Sequence, residues 1–212
     1  MTIRHHLSDQ LLLGYSSGQL PEAFNLVVAV HLSLCDDCKA RLGAFDAVGG
    51  SLMDACDSVA MSDDSLAATL ARLEGAVAPP PPRRGTKTLP APLMDYVGHD
   101  LAAVKWRSLG MGVRQAVLRT DKGASARLLY IPAGQKVPDH GHRGTELTLV
   151  LQGAFRDETD RFGPGDVEIA NEELSHQPIA EAGEDCICLA ATDAPLRFSG
   201  LLPRIAQPFF GI

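Results

Sequence analysis

His31-Leu32-Ser33-Leu34-Cys35-Asp36-Asp37-Cys38 is the stretch from which the rest of this chain can be read. A histidine and a cysteine four residues apart share one helical face, and a second cysteine three residues on returns close to it. Three metal-binding side chains therefore converge on one point. A closed structural zinc site takes four nitrogen or sulfur ligands at tetrahedral angles, and the nearby candidates for the fourth are His5 and His6. Zinc there would pin the start of the chain to its second helix. The same thiolates can be oxidised with loss of the metal, so the spacing admits a redox switch as well as a structural zinc.

Helical signals surround that stretch. Ser8 is placed to cap a first helix with Leu11, Leu12 and Tyr15 on its apolar face, and Ser16-Ser17-Gly18 ends it. Pro21 suits the first turn of a second helix, in which Phe24, Val27, Val28 and His31 recur at helical spacing. A third helix runs on from Cys38 through Leu42, Phe45, Leu52 and Met53. An interruption or bend is expected at Gly49-Gly50, where each glycine costs about 1 kcal/mol of helix stability. Ser62-Asp63-Asp64 caps a fourth helix carrying Leu66, Leu70, Leu73 and Val77, a stripe that either folds back on its own bundle or docks on a partner.

Ala78-Pro79-Pro80-Pro81-Pro82-Arg83-Arg84-Gly85 breaks the pattern. Consecutive prolines donate no backbone hydrogen bonds and favour an extended spacer, which Pro90 and Pro92 are expected to continue. The expected division is a helical zinc-binding domain over 1–78, a linker over 79–92 and a second domain over 93–212. Beyond the linker, strand-like runs at 114–119, 126–131, 147–151 and 186–190 alternate with Asp-Lys-Gly, Pro-Ala-Gly and Gly-Pro-Gly-Asp turns, as in an antiparallel sandwich or barrel.

Charge and composition narrow the function. Of the formal net charge of −7, residues 1–78 hold −6, with four basic and ten acidic residues. An acidic module repels phosphate and complements a basic surface, so a nucleic-acid target is not expected and a basic protein partner is. No apolar run reaches the ~20 residues of a membrane span, and the first residues lack a secretory signal's apolar core, which makes the cytoplasm the expected location. Five cysteines in scattered or metal-like positions suit a reducing compartment.

A second constellation lies in the β region: Gly134-x5-His140-x-His142-x3-Glu146-x6-Gly153, with His176 further on. Three imidazoles and a carboxylate make a divalent-metal set, compatible with zinc, iron, manganese or nickel. Every position fits the first motif of the cupin superfamily, whose small jelly-roll barrels hold such a metal, and this half resembles that family. Gly165-Asp166 and His176 keep the spacing of the second motif, while Asn171, Glu173 and Ala180 depart from it. Cys186 and Cys188 share one face of a strand and read as core residues, too closely spaced along it for an unstrained disulfide.

An acidic helical module with an H-x3-C-x2-C motif, a linker and a cupin together resemble the ChrR-type anti-sigma factors over nearly the whole length. That resemblance implies a two-domain protein, a small helical zinc bundle followed by an antiparallel β cupin barrel. The first domain would sequester an extracytoplasmic-function sigma factor, and the cupin would be required for release by singlet oxygen or related oxidants. It places zinc on His31, Cys35, Cys38 and an upstream histidine, for which His6 matches better than His5. A divalent metal, zinc being one candidate, would lie on His140, His142, Glu146 and His176. The role implied is regulatory and not enzymatic, without direct nucleic-acid or membrane contact. The competing reading is a cupin dioxygenase or isomerase with an accessory helical arm, because such a metal site keeps coordination positions open.

Overall fold

In the computed structural model, residues 2–73, 85–86, 89–98 and 100–198 are described. Helix α1 (Asp9–Ser16) starts at Ser8, whose hydroxyl accepts the Leu11 N–H at 3.3 Å, and it stops where Gly18 takes a φ of +68°. Helix α2 (Glu22–Leu32) follows Pro21, which occupies the flanking cap position just outside the first turn. Its expected apolar stripe is buried, and so are Ala23, Leu26 and Val30. A helix apolar nearly all round must be covered nearly all round. α2 accordingly packs against α1 and against α3 (Asp36–Asp54), and also against a β-sheet.

Helix α3 is continuous through Gly49-Gly50, where an interruption or bend was expected; the glycines weaken the helix without ending it, and it closes at Asp54. Leu42 and Phe45 join the core, whereas Val48, Leu52 and Met53 stand exposed. Helix α4 (Ser65–Leu73) buries none of its side chains among the described residues. Residues 79–84, the core of the expected linker, lie outside the described residues, as does Val77. The linker's later part is corrected by helix α5 (Ala91–Val97), which Pro90 and Pro92 begin instead of extending the spacer. Proline's missing N–H costs nothing in a first helical turn, and burial of Leu93 and Met94 holds the helix down.

The strands are β1 (Arg107–Gly110), β2 (Val113–Leu118), β3 (Ser125–Ile131), β4 (His140–Gly141), β5 (Glu146–Gln152), β6 (Phe155–Arg156), β7 (Arg161–Phe162), β8 (Val167–Ala170), β9 (Ser175–His176), β10 (Ile179–Ala180), β11 (Cys186–Thr192) and β12 (Arg197–Phe198). All pairings are antiparallel, in a six-stranded sheet of order β1-β2-β3-β11-β5-β8 and two three-stranded sheets, β10-β6-β7 and β12-β4-β9.

The large sheet is covered on both faces, which explains why its central strands read as apolar runs. Leu128, Leu147, Leu149 and Leu189 belong to one buried cluster that also contains Phe24, Val27 and Val28 of α2. Alternate residues, Ile131, Val150, Cys186 and Cys188, belong to a second cluster with Phe155 and Phe162. On that second side lies a cavity of about 350 Å³, to which His140, Glu146, Glu168, His176 and Cys188 contribute. The helices and the sheet thus share one continuous core. Hydrogen bonds to a carboxylate reinforce it at the rim, where Glu22 accepts from the Tyr96 hydroxyl at 2.7 Å and from the Asp121 N–H at 2.7 Å.

Two candidate metal centres

At the start of α3, Cys35 is the N-cap residue and its Sγ accepts the Cys38 N–H at 3.5 Å, so both sulfurs lie at one helix end. His31, in the last turn of α2, reaches the same place. His6 arrives from the extended N-terminal segment, its Nδ1 lying 3.3 Å from the Cys35 Sγ and 3.6 Å from the Cys38 Sγ. One donor atom from each of the four residues lies within 4.8 Å of every other. His5 points elsewhere, with its ring 4.4 Å from that of Phe162 and its Nε2 3.5 Å from Asp160.

The donors fit a metal in their chemistry as well as their spacing. His31 gives its Nδ1–H to the Gly165 carbonyl at 2.9 Å, leaving the Nε2 lone pair facing the cluster; that buried nitrogen has no hydrogen-bond partner. A backbone partner on one ring nitrogen is what orients a metal-bound imidazole. Burial pushes the His31 pKa down to about 4, against the pull of Gly165, so the ring is neutral at pH 7. Burial pushes the Cys38 thiol up, so a cation must displace protons to bind there. Nearby, Arg41 donates to the Leu7 carbonyl at 3.0 Å and pairs with Asp9, which ties α1 to α3 beside the sulfurs.

The second cluster is imidazole only. The Nε2 atoms of His140 and His142 each lie 3.3 Å from the His176 Nε2. His140 donates from Nδ1 to the Pro138 carbonyl at 2.9 Å, which turns its Nε2 lone pair inward. Three ring nitrogens facing one another at such distances need a proton or a cation between them. Burial lowers the pKa of both His140 and His142 to about 4. Glu146, at the start of β5, lines the same cavity but is not gathered with the three imidazoles: one oxygen accepts from Thr148 at 3.1 Å and the other is 3.8 Å from the His142 Nδ1.

Two carboxylates that the sequence did not single out hold His176 instead. Its Nδ1 lies 2.6 Å from Asp157 Oδ2 and 3.1 Å from Glu168 Oε1. One N–H serves the nearer oxygen, so Asp157 takes the hydrogen bond and Glu168 makes an ion-pair contact without one. Burial alone would lower the His176 pKa; Glu168 and Asp157 outweigh it and raise it to about 9. Burial raises Glu168 to about 7; desolvation would raise Asp157 as well, but the hydrogen bonds from Thr159 and His176 hold it below the usual carboxylate range. Asp157 sits in an acidic turn with no distinguishing spacing, and Glu168 is separated from the first cupin motif by more than a strand. Their roles arise only when the strands pair.

Residues 95–195 match the family described as ChrR Cupin-like domain. Over 213 aligned residues covering all of both chains, the sequence is 66% identical to the anti-sigma-E factor ChrR of Cereibacter sphaeroides. The chain belongs to the ChrR family. Among solved structures, the ChrR family member in the crystal structure of Rhodobacter sphaeroides SigE in complex with the anti-sigma ChrR aligns with a TM-score of 0.82 and 64% identity, covering 91% of this chain and 100% of that one. A more distant match is a cupin protein of Ralstonia eutropha, 23% identical over 49% of this chain and 71% of that one, with a TM-score of 0.43.

Proposed function

We propose that this ChrR-family chain is an anti-sigma factor that sequesters an extracytoplasmic-function sigma factor in the cytoplasm, a regulatory role and not an enzymatic one. The observation that carries the reading is the full-length likeness to a protein named as an anti-sigma-E factor, together with the match to a ChrR chain crystallised with SigE. The helical part, 1–78, acts as a zinc-holding bundle, with His6, His31, Cys35 and Cys38 as ligands. The part from 93 onward acts as a cupin barrel holding a divalent metal on His140, His142, Glu146 and His176. That second centre governs release in response to singlet oxygen or related oxidants.

The exposed side of the helices gives the complex a physical basis. Leu66, Leu70 and Leu73 recur along one side of α4 and are 70%, 52% and 63% exposed. An uncovered leucine stripe on an acidic module suits a partner with an apolar groove and a basic rim. The test is to mix the purified full chain with its cognate sigma factor and follow the pair by size exclusion. A stoichiometric complex that withholds the sigma factor from core RNA polymerase is expected; separate elution would overturn the reading.

A further inference from the structure

One stretch of chain touches both candidate centres. It comprises the turn Gly163-Pro164-Gly165-Asp166 and the strand β8 that follows. The buried Asp166 carboxylate accepts the N–H groups of Arg4 at 2.6 Å and His5 at 3.0 Å on Oδ1, and that of Gly163 at 2.8 Å on Oδ2. Charge-assisted bonds of this kind are among the stronger ones a protein makes. The His5 carbonyl in turn accepts from the Val167 N–H at 3.2 Å, and the neighbouring Gly165 carbonyl holds the His31 ring. His6 and His31, two of the four donors of the sulfur cluster, are therefore set in place by residues more than a hundred positions away. Glu168, the next residue of β8, lies against His176.

This stretch has little freedom to absorb a displacement. The Gly165 N–H bonds to the Val150 carbonyl at 2.8 Å and the Val150 N–H to the Asp166 carbonyl at 3.0 Å, which locks the turn to β5. Gly165 itself sits at a φ of +90°, open to glycine and strained for any other residue. With the turn fixed in this way, a shift of β8 at Glu168 would pass along the backbone to Asp166 and Gly165.

We propose that residues 163–168 form a mechanical link between the two centres, in which Asp166 is a positioning residue for His6 and Glu168 one for His176, so that a change at the imidazole cluster alters how firmly the sulfur cluster holds its metal. The link rests on the preceding reading of both clusters as metal centres, and it supplies a route by which the β half acts on the sigma-binding half. Coupling of this kind is reciprocal, so the state of the sulfur cluster biases the imidazole cluster equally.

The experiment uses the full chain loaded with cobalt, whose bonds to thiolate give an absorption band that the imidazole cluster does not, with Cys35→Ser as the control for its origin. A chelator is added and the decay of the band is timed in Asp166→Asn, Glu168→Gln, His176→Ala and the double variant Asp166→Asn/Glu168→Gln. Asp166→Asn, which loosens the segment that carries His6, should speed the loss by about 10-fold, comparable to the affinity cost of disturbing the support around a metal ligand. Glu168→Gln and His176→Ala, though remote from the sulfurs, should speed it as well, and Glu168→Gln should add nothing once Asp166 is replaced. A decay unchanged by Glu168→Gln and His176→Ala, or a Glu168→Gln effect that persists in full in the double variant, would overturn the link. If the Asp166 variants do not fold, Glu168→Gln with the turn intact decides the question alone. Sigma binding is measured in parallel: its absence defeats the anti-sigma reading, while the decay times still judge the link.

Discussion

Cys38 is wholly buried with its Sγ beside His6, and a serine hydroxyl there is a poor substitute for thiolate as a soft ligand. Cys38→Ser, like Cys35→Ser, should therefore empty the proposed helical zinc centre and abolish sigma binding with it, since a metal held there would tie the N-terminal segment to α2 and α3. Metal analysis and a binding titration check this together; a zinc-free variant with wild-type sigma affinity would refute it. How much of this centre was legible depends on distance along the chain. His31, Cys35 and Cys38 could be read because helical spacing alone brings them together. The choice of His6 over His5 depends on Asp166 and Phe162, which hold the extended segment so that alternate residues face opposite ways. Asp157 and Glu168 were illegible for the same reason, since strand pairing and not spacing brings them to His176.

At the scale of elements, the long strands were legible within a residue or two because their apolar runs end at Gly- and Asp-containing turns. The two-residue strands around the cavity carry too few side chains for any periodicity to show. Helix α5 was hidden by prolines that serve equally well in a spacer or in a first helical turn. The stripe on α4 was legible, and the structure leaves it uncovered. Leu70→Asp should weaken the sigma complex by at least 10-fold, about 1.4 kcal/mol, while leaving the thermal melt of the free protein within error. An unchanged affinity would move the interface to another face. Leu189→Ala offers the contrast, because this side chain lies in the core shared by α2 and the sheet. Its removal should cost about 2–5 kcal/mol in urea unfolding. One cooperative transition for both halves is expected, and two separated transitions would show that the shared core does not couple them.

For the molecule as a whole, the shared core bears on how inhibition and release are divided. The expected division gives a fragment of residues 1–85 that still inhibits the sigma factor and no longer responds to oxidant. Cutting there exposes the side of α2 that packs on the sheet and removes Asp166 and Gly165 from His6 and His31. The fragment should accordingly melt lower and lose zinc faster than the full chain while retaining inhibition; failure to inhibit when zinc-loaded would refute the division. The complementary variant is His142→Ala in the full chain. It removes one imidazole from the cavity cluster without touching α4 or the sulfurs, so sigma binding at saturating zinc, where the sulfur cluster stays loaded, should be nearly unchanged. The response to singlet oxygen should be blunted, because chemistry at the imidazole centre would no longer be able to bias the bound inhibitor toward release. A coupling of about 3 kcal/mol between the centres would change sigma affinity over 100-fold, enough to switch transcription. The decisive measurement is sigma-dependent transcription with and without singlet oxygen. Full induction in His142→Ala would make the imidazole centre incidental to sensing and would leave the thiolates of Cys35 and Cys38 as the groups on which the oxidant acts.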